Sequence, residues 1–190
     1  MRSVKRLTEY ALAGAHGRDW YVNAELSIRR HCNSLGFDVQ TYVDVLAITS
    51  PRVNVSKNVQ LTNAYMSNRA EAYVGSTWEF VAAGTTLAIT EGTAGTHTHV
   101  AGLMKSIRSG LEHYERTGEI RGPKTSAFAR ALLGDPDAVV LDVWLARALD
   151  VDQAKLATRK VRDPATERIR KVARALGWEA RQVQAAIWVH

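Results

Sequence analysis

Two side chains in one stretch, GPKTSAFARALLGDPDAVVLDVW from Gly122 to Trp144, have the types and the setting for chemistry. Lys124 follows a Gly-Pro turn, and Asp142 closes the apolar run AVVL. A lysine amine held in a partly dry pocket is freed as a nucleophile. It can then attack a carbonyl or a sugar C1′ and form a Schiff base. A carboxylate beside it can serve that nucleophile or stabilise a developing sugar cation. The plainer reading is a solvated lysine at a helix start and an aspartate that caps a helix. The pair alone is unspecific, because both residue types are common.

The turn IRGPKT adds a binding element. Pro123 fixes φ and suits the first turn of a helix, and Gly122 lets another backbone approach closely. The free N–H groups of a helix start favour an anion. In a basic chain the natural anion is a DNA phosphate, a contact that reads no sequence. The chain has 190 residues and a formal charge of +6. The window Lys155–Arg181 holds nine Lys or Arg and three Asp or Glu, so it alone carries that excess. A basic strip of this kind attracts polyanions such as nucleic acid. A merely soluble basic face is the alternative.

The elements that must position these groups read as nearly all helix. With 46% hydrophobic residues the chain suits one compact domain, or two small helical lobes sharing a core. Apolar spacing and end signals predict helices from Asp19 to Gly36, Asp38 to Pro51, Val55 to Gly75 and Thr98 to Gly118. Further helices are predicted after Pro123, from Asp142, from Pro164 to Gly177, and over EARQVQAAIWV. The stretch GTTLAITEGTAGTHTH reads as a loop or a short frayed helix, and there is no Asn-Gly or Asp-Gly hairpin signal. The start MRSVKRLTEYALAGAHGRDW reads as a first helix or lead-in arm, not a signal peptide. No stretch approaches the roughly 18 apolar residues that cross a bilayer.

Other candidates are weaker. His97 and His99 lack an evident third metal ligand. Cys32, the single cysteine, excludes an internal disulfide and a four-cysteine metal site, and fits a reducing compartment such as the cytoplasm. It reads as a packed thiol, not as a nucleophile paired with His31.

The stretch Gly122–Trp144 resembles the core of the helix-hairpin-helix DNA glycosylase superfamily, which includes endonuclease III and 8-oxoguanine glycosylase. Upstream, YVDVLAITSPRVNVSKNVQLTNAYM is similar to the early helix, loop and helix of the same superfamily. Together the two matches span most of Thr41 to Leu149. The chain also looks like small relatives encoded by phages. The resemblance implies an all-α fold of two helical lobes with a cleft that receives a flipped base. It puts Lys124 in the place of the catalytic lysine and Asp142 in that of the catalytic aspartate, with Trp144 where histidine is common. It implies DNA contacts by Arg52, Asn54, Ser56, Arg121, Gly122 and Thr125, with Asn58 in the same polar pattern, and a base pocket that includes Trp144 and Tyr42. The sequence departs from the superfamily in having Ile120 at the first glycine of the hairpin. It departs again at Pro51, where a glutamine fills the gap left by the flipped base; Arg52 is the substitute wedge. The implied partner is double-stranded DNA, with no membrane, no metal, no cofactor and a monomeric chain. The implied activity is that of a DNA N-glycosylase, with or without strand cleavage. A phage-type base-modifying transferase on the same scaffold and a DNA-binding protein without turnover remain as alternatives.

Overall fold

The computed structural model describes residues 1–71, 78–82, 85–89 and 104–190, with side chains over 1–67 and 104–190. In chain order the first helices are α1 (Val4–Ala13), α2 (Trp20–Leu35), α3 (Val39–Thr49), α4 (Val55–Glu71) and α5 (Lys105–Thr117). After them come α6 (Pro123–Leu132), α7 (Val143–Leu149), α8 (Arg159–Leu176) and α9 (Ala180–Val189). Between α4 and α5 the strands β1 (Trp78–Ala82) and β2 (Thr85–Ile89) pair antiparallel, with Ala82 opposite Thr85. The molecule is helical, as expected, apart from this ribbon, which the sequence did not signal. The chain divides into two compact units. The first joins residues 1–31 to residues 122–190, and the second is residues 32–121.

The helix ends follow local chemistry. Asp38 caps α3, its carboxylate accepting the Thr41 N–H at 2.8 Å. Glu179 and Gln182 form a reciprocal capping box at the start of α9. Gly118 and Gly177 end α5 and α8 in the left-handed conformation, with φ of 70° and 66°. One boundary differs from expectation. α8 begins at Arg159, five residues before Pro164, so the proline lies inside the helix. The missing N–H of Pro164 leaves the Lys160 carbonyl without its helical donor. Lys160 is exposed, so water can serve that carbonyl.

In the first unit α1, α8 and α9 pack mutually. Leu7 and Ala11 of α1 meet Ile169 and Val172 of α8 and Val183 and Ala186 of α9, all without solvent exposure. Their spacing of three and four puts one apolar stripe on each helix. In the second unit α3 is buried from Tyr42 through Thr49 and packs on α4 and α5. Its polar groups are satisfied internally. Asn58 of α4 donates to the Leu46 carbonyl at 3.0 Å, and its own oxygen accepts the Thr49 hydroxyl at 2.6 Å. Among the described residues no helix is long and apolar enough to cross a membrane.

Candidate nucleic-acid interface

The first unit contains a cleft of about 770 Å³ between α6 and α8. Residues on one face of α6, among them Lys124, Ala127 and Arg130, form one wall. The α8 face that carries Arg162, Thr166 and Arg170 forms the other. The floor is apolar, from Val139, Leu141 and Leu156.

The floor is held by α9. Gln184 is 2% exposed; its side-chain oxygen accepts the Val140 N–H at 2.9 Å, and its amide donates to the Tyr21 hydroxyl at 3.1 Å. The Pro136 carbonyl accepts the Ala180 N–H at 2.8 Å, and the Asp137 carbonyl accepts from Arg170 at 3.1 and 3.3 Å. A loop between helices is thus tied at three carbonyl or amide positions, which fixes the wall-to-floor geometry. Burial, and then the charge of Asp142, raise the Tyr21 phenol above its ordinary range, with Gln184 pulling the other way. Tyr21 therefore acts as a neutral hydrogen-bonding group.

The cations of the cleft are mostly braced. Arg130 lies 3.5 Å from Asp135 and Arg162 3.6 Å from Asp163. Glu167, also on this wall, is held below the usual carboxylate range, first by its hydrogen bond from Arg174 at 2.6 Å. Lys124 differs. Among the described residues its ammonium has no ion-pair partner and no hydrogen bond, and the residue is exposed at the mouth of the cleft. The dry surroundings expected for it are not supplied by the described residues; a bound ligand would have to supply them.

Asp142 does what the plainer reading required. Its carboxylate accepts the Leu145 N–H at 2.8 Å and caps α7. No ion pair joins it to Lys124, and it stands one residue beyond the cleft-lining Leu141. Gly122 has φ 87° and ψ 141°, the left-handed side that glycine tolerates, and leads into Pro123 at the first position of α6. Thr125 is half-buried in the first turn.

The remaining expected contacts fall in the second unit. Arg52 is exposed, with a left-handed φ of 60° that a non-glycine residue seldom adopts. Asn54 caps α4 by accepting the Lys57 N–H at 2.8 Å. Ser56 and Arg121 are exposed, and Asn58 is an internal brace. Tyr42 corrects an expectation. It is 1% exposed, stacks on Phe37 with centroids 6.1 Å apart, and donates to Asn63 at 2.9 Å. Burial pushes its phenol up to about 12. It is a core residue of the second unit and offers no free face to a base. Trp144 is 53% exposed in the first unit. His97 and His99 lie outside the described residues. The cleft residues Arg130, Arg162 and Arg170 were missed by sequence reasoning. Arg162 and Arg170 had only the basic window Lys155–Arg181 as a signal, and Arg130 lies outside it.

Neither the comparison with curated proteins nor that with solved structures gives a match. A sequence model described as a family of unknown function (DUF7178) matches residues 9–190.

Proposed function

We propose that this chain, which belongs to the DUF7178 family of unknown function, binds double-stranded DNA and excises a damaged or modified base, with Lys124 as the amine nucleophile. The two-lobed helix-hairpin-helix glycosylase fold is part of this proposal. One observation carries it: an ammonium without a partner among the described residues stands at the mouth of a cation-lined cleft with an apolar floor. The apolar floor suits a base or sugar, and the arginines suit phosphate. In the chemical step the neutral amine of Lys124 attacks C1′. The glycosidic C–N bond breaks, its electron pair leaves with the base, and the base takes a proton. Opening of the sugar ring gives an iminium that borohydride reduces to a stable amine.

Borohydride trapping on duplexes carrying oxidised, alkylated, deaminated or phage-type bases, and on an abasic site, tests this. The expected result is a covalent adduct on one modified base that Lys124→Ala abolishes. Asp142→Asn is the companion variant, because asparagine caps a helix about as well as aspartate. A loss of base release with unchanged melting would then report the charge and not the cap. An adduct that survives Lys124→Ala overturns the assignment.

A second reading, DNA binding without turnover, is favoured by the engagement of Asp142 in the α7 cap. Duplex binding with neither adduct nor base release on any of these substrates would select it.

A further inference from the structure

Outside the cleft, the first unit presents a second basic and aromatic surface. Trp144 of α7 is the most exposed aromatic among the described large hydrophobic residues, at 53%. Its ring is not a core contact, and the residue does not line the cleft. The Arg147 guanidinium, one turn further along α7, lies over it at 4.8 Å from the centroid.

Arg147 belongs to a chain of three arginines. Arg2 donates to the carbonyls of Arg147 and Ala148 at 2.6 and 2.9 Å, which occupies acceptors freed at the end of α7. Arg168 of α8 donates to the Arg2 carbonyl at 2.6 Å. Among the described residues none of the three has a carboxylate within ion-pair distance, whereas Arg6, Arg18, Arg29, Arg130, Arg162, Arg174 and Arg181 all do. Asp142, two residues before Trp144, is turned to its own cap, and Glu167, next to Arg168, pairs with Arg174 at 2.6 Å. The Arg2 and Arg168 guanidiniums are anchored on backbone carbonyls and the Arg147 guanidinium on the indole, and an anion is the natural complement to their unneutralised charge.

We infer that Trp144 is a stacking platform for an unpaired nucleic-acid base, with Arg2, Arg147 and Arg168 holding the adjoining phosphates. The inference rests on charge complementarity and on an indole about half exposed to solvent, with the Arg147 guanidinium over its ring. The combination binds single strands without regard to sequence, because every base has a π face and every nucleotide a phosphate. A paired base is hidden in its stack and cannot reach the indole, so the surface discriminates single strand from duplex. It goes beyond the proposed excision site, and it stands or falls separately from Lys124.

The test is fluorescence anisotropy with labelled oligo-dT and with a blunt duplex that has no unpaired base. Wild type, Trp144→Ala, Trp144→Tyr and Lys124→Ala are compared, each checked for an unchanged thermal melt. Trp144→Ala is expected to weaken oligo-dT binding by about 5- to 100-fold and to change duplex binding by less than about twofold. Trp144→Tyr should restore most of the loss, because an aromatic face returns. Lys124→Ala should abolish trapping without removing the dependence of oligo-dT binding on Trp144. The inference is overturned if wild type does not bind oligo-dT, if Trp144→Ala binds it as wild type does, or if single strand and duplex lose affinity equally. It is also overturned if a glutamate-rich peptide competes through Trp144 as well as oligo-dT does. Failure of trapping alone leaves it standing and removes only the excision reading.

Discussion

Asp44 is a carboxyl group inside an apolar helix, 6% exposed between Val43 and Val45. Burial raises it above the ordinary carboxylate range, and hydrogen bonds from Gln40 at 2.9 Å and Tyr114 at 3.0 Å oppose part of that rise. A raised acid binds its proton in the folded state at a pH where the unfolded chain has lost it. Its contribution is therefore present below the unfolded value and is lost as pH rises through the folded one. Urea melts of wild type and Asp44→Asn from acid to neutral pH should show wild type losing ground to the variant as pH increases. Arg181 poses the opposite case. It is 5% exposed and holds Glu25 at 3.0 Å, Glu179 at 2.5 Å and the Ala131 carbonyl at 3.0 Å. Arg181→Met should cost about 3 kcal/mol in denaturant melts, at the low end for a buried pair because both carboxylates stay partly wet. Lys124 and Asp142 were legible in the sequence as residue types. Their exposure and the capping bond were not, because those depend on what the rest of the fold covers. Arg2 carried no signal at all, since the carbonyls it serves lie some 145 positions away.

At the scale of elements, most helices were legible because caps and apolar stripes agree. Asp38 to Pro51 is an instance: an N-cap, a run of buried residues and a proline all mark the same segment. The reading failed where one strong signal outweighed a weak one. Pro164 looked like a first-turn proline, yet one exposed helical turn precedes it. The ribbon was missed because the sequence holds no Asn-Gly or Asp-Gly pair, the hairpin signal that was sought. Close approach matters between the α1–α2 connection and α9. A Cβ added at Gly14 would stand 1.9 Å from the Ala186 carbonyl oxygen. Backbone cannot step aside as a side chain can. Gly14→Ala should therefore lower stability by about 3 kcal/mol, the upper range for an overpacked site, as read from thermal or urea melts.

For the whole molecule the charge predicts a measurable habit. Duplex affinity should fall steeply between about 50 and 200 mM salt, with a log–log slope near −0.9 for each phosphate contacted. A flat salt response would remove DNA as the partner. The helical class was legible because periodicity runs through the chain. The division into units was not, since nothing in local spacing says that residues 1–31 pack with residues 122–190. That arrangement sets an order of events during synthesis. The second unit, about 90 residues long, is synthesised in full before α8 and α9. α1 precedes that unit in the chain, yet cannot bury Leu7 and Ala11 until α8 and α9 have been made. Early collapse of the inserted unit would shorten the loop that the two ends must close. A nascent chain stalled before Ala180 would still expose the apolar stripe of α1, a surface for chaperones to hold until α9 arrives.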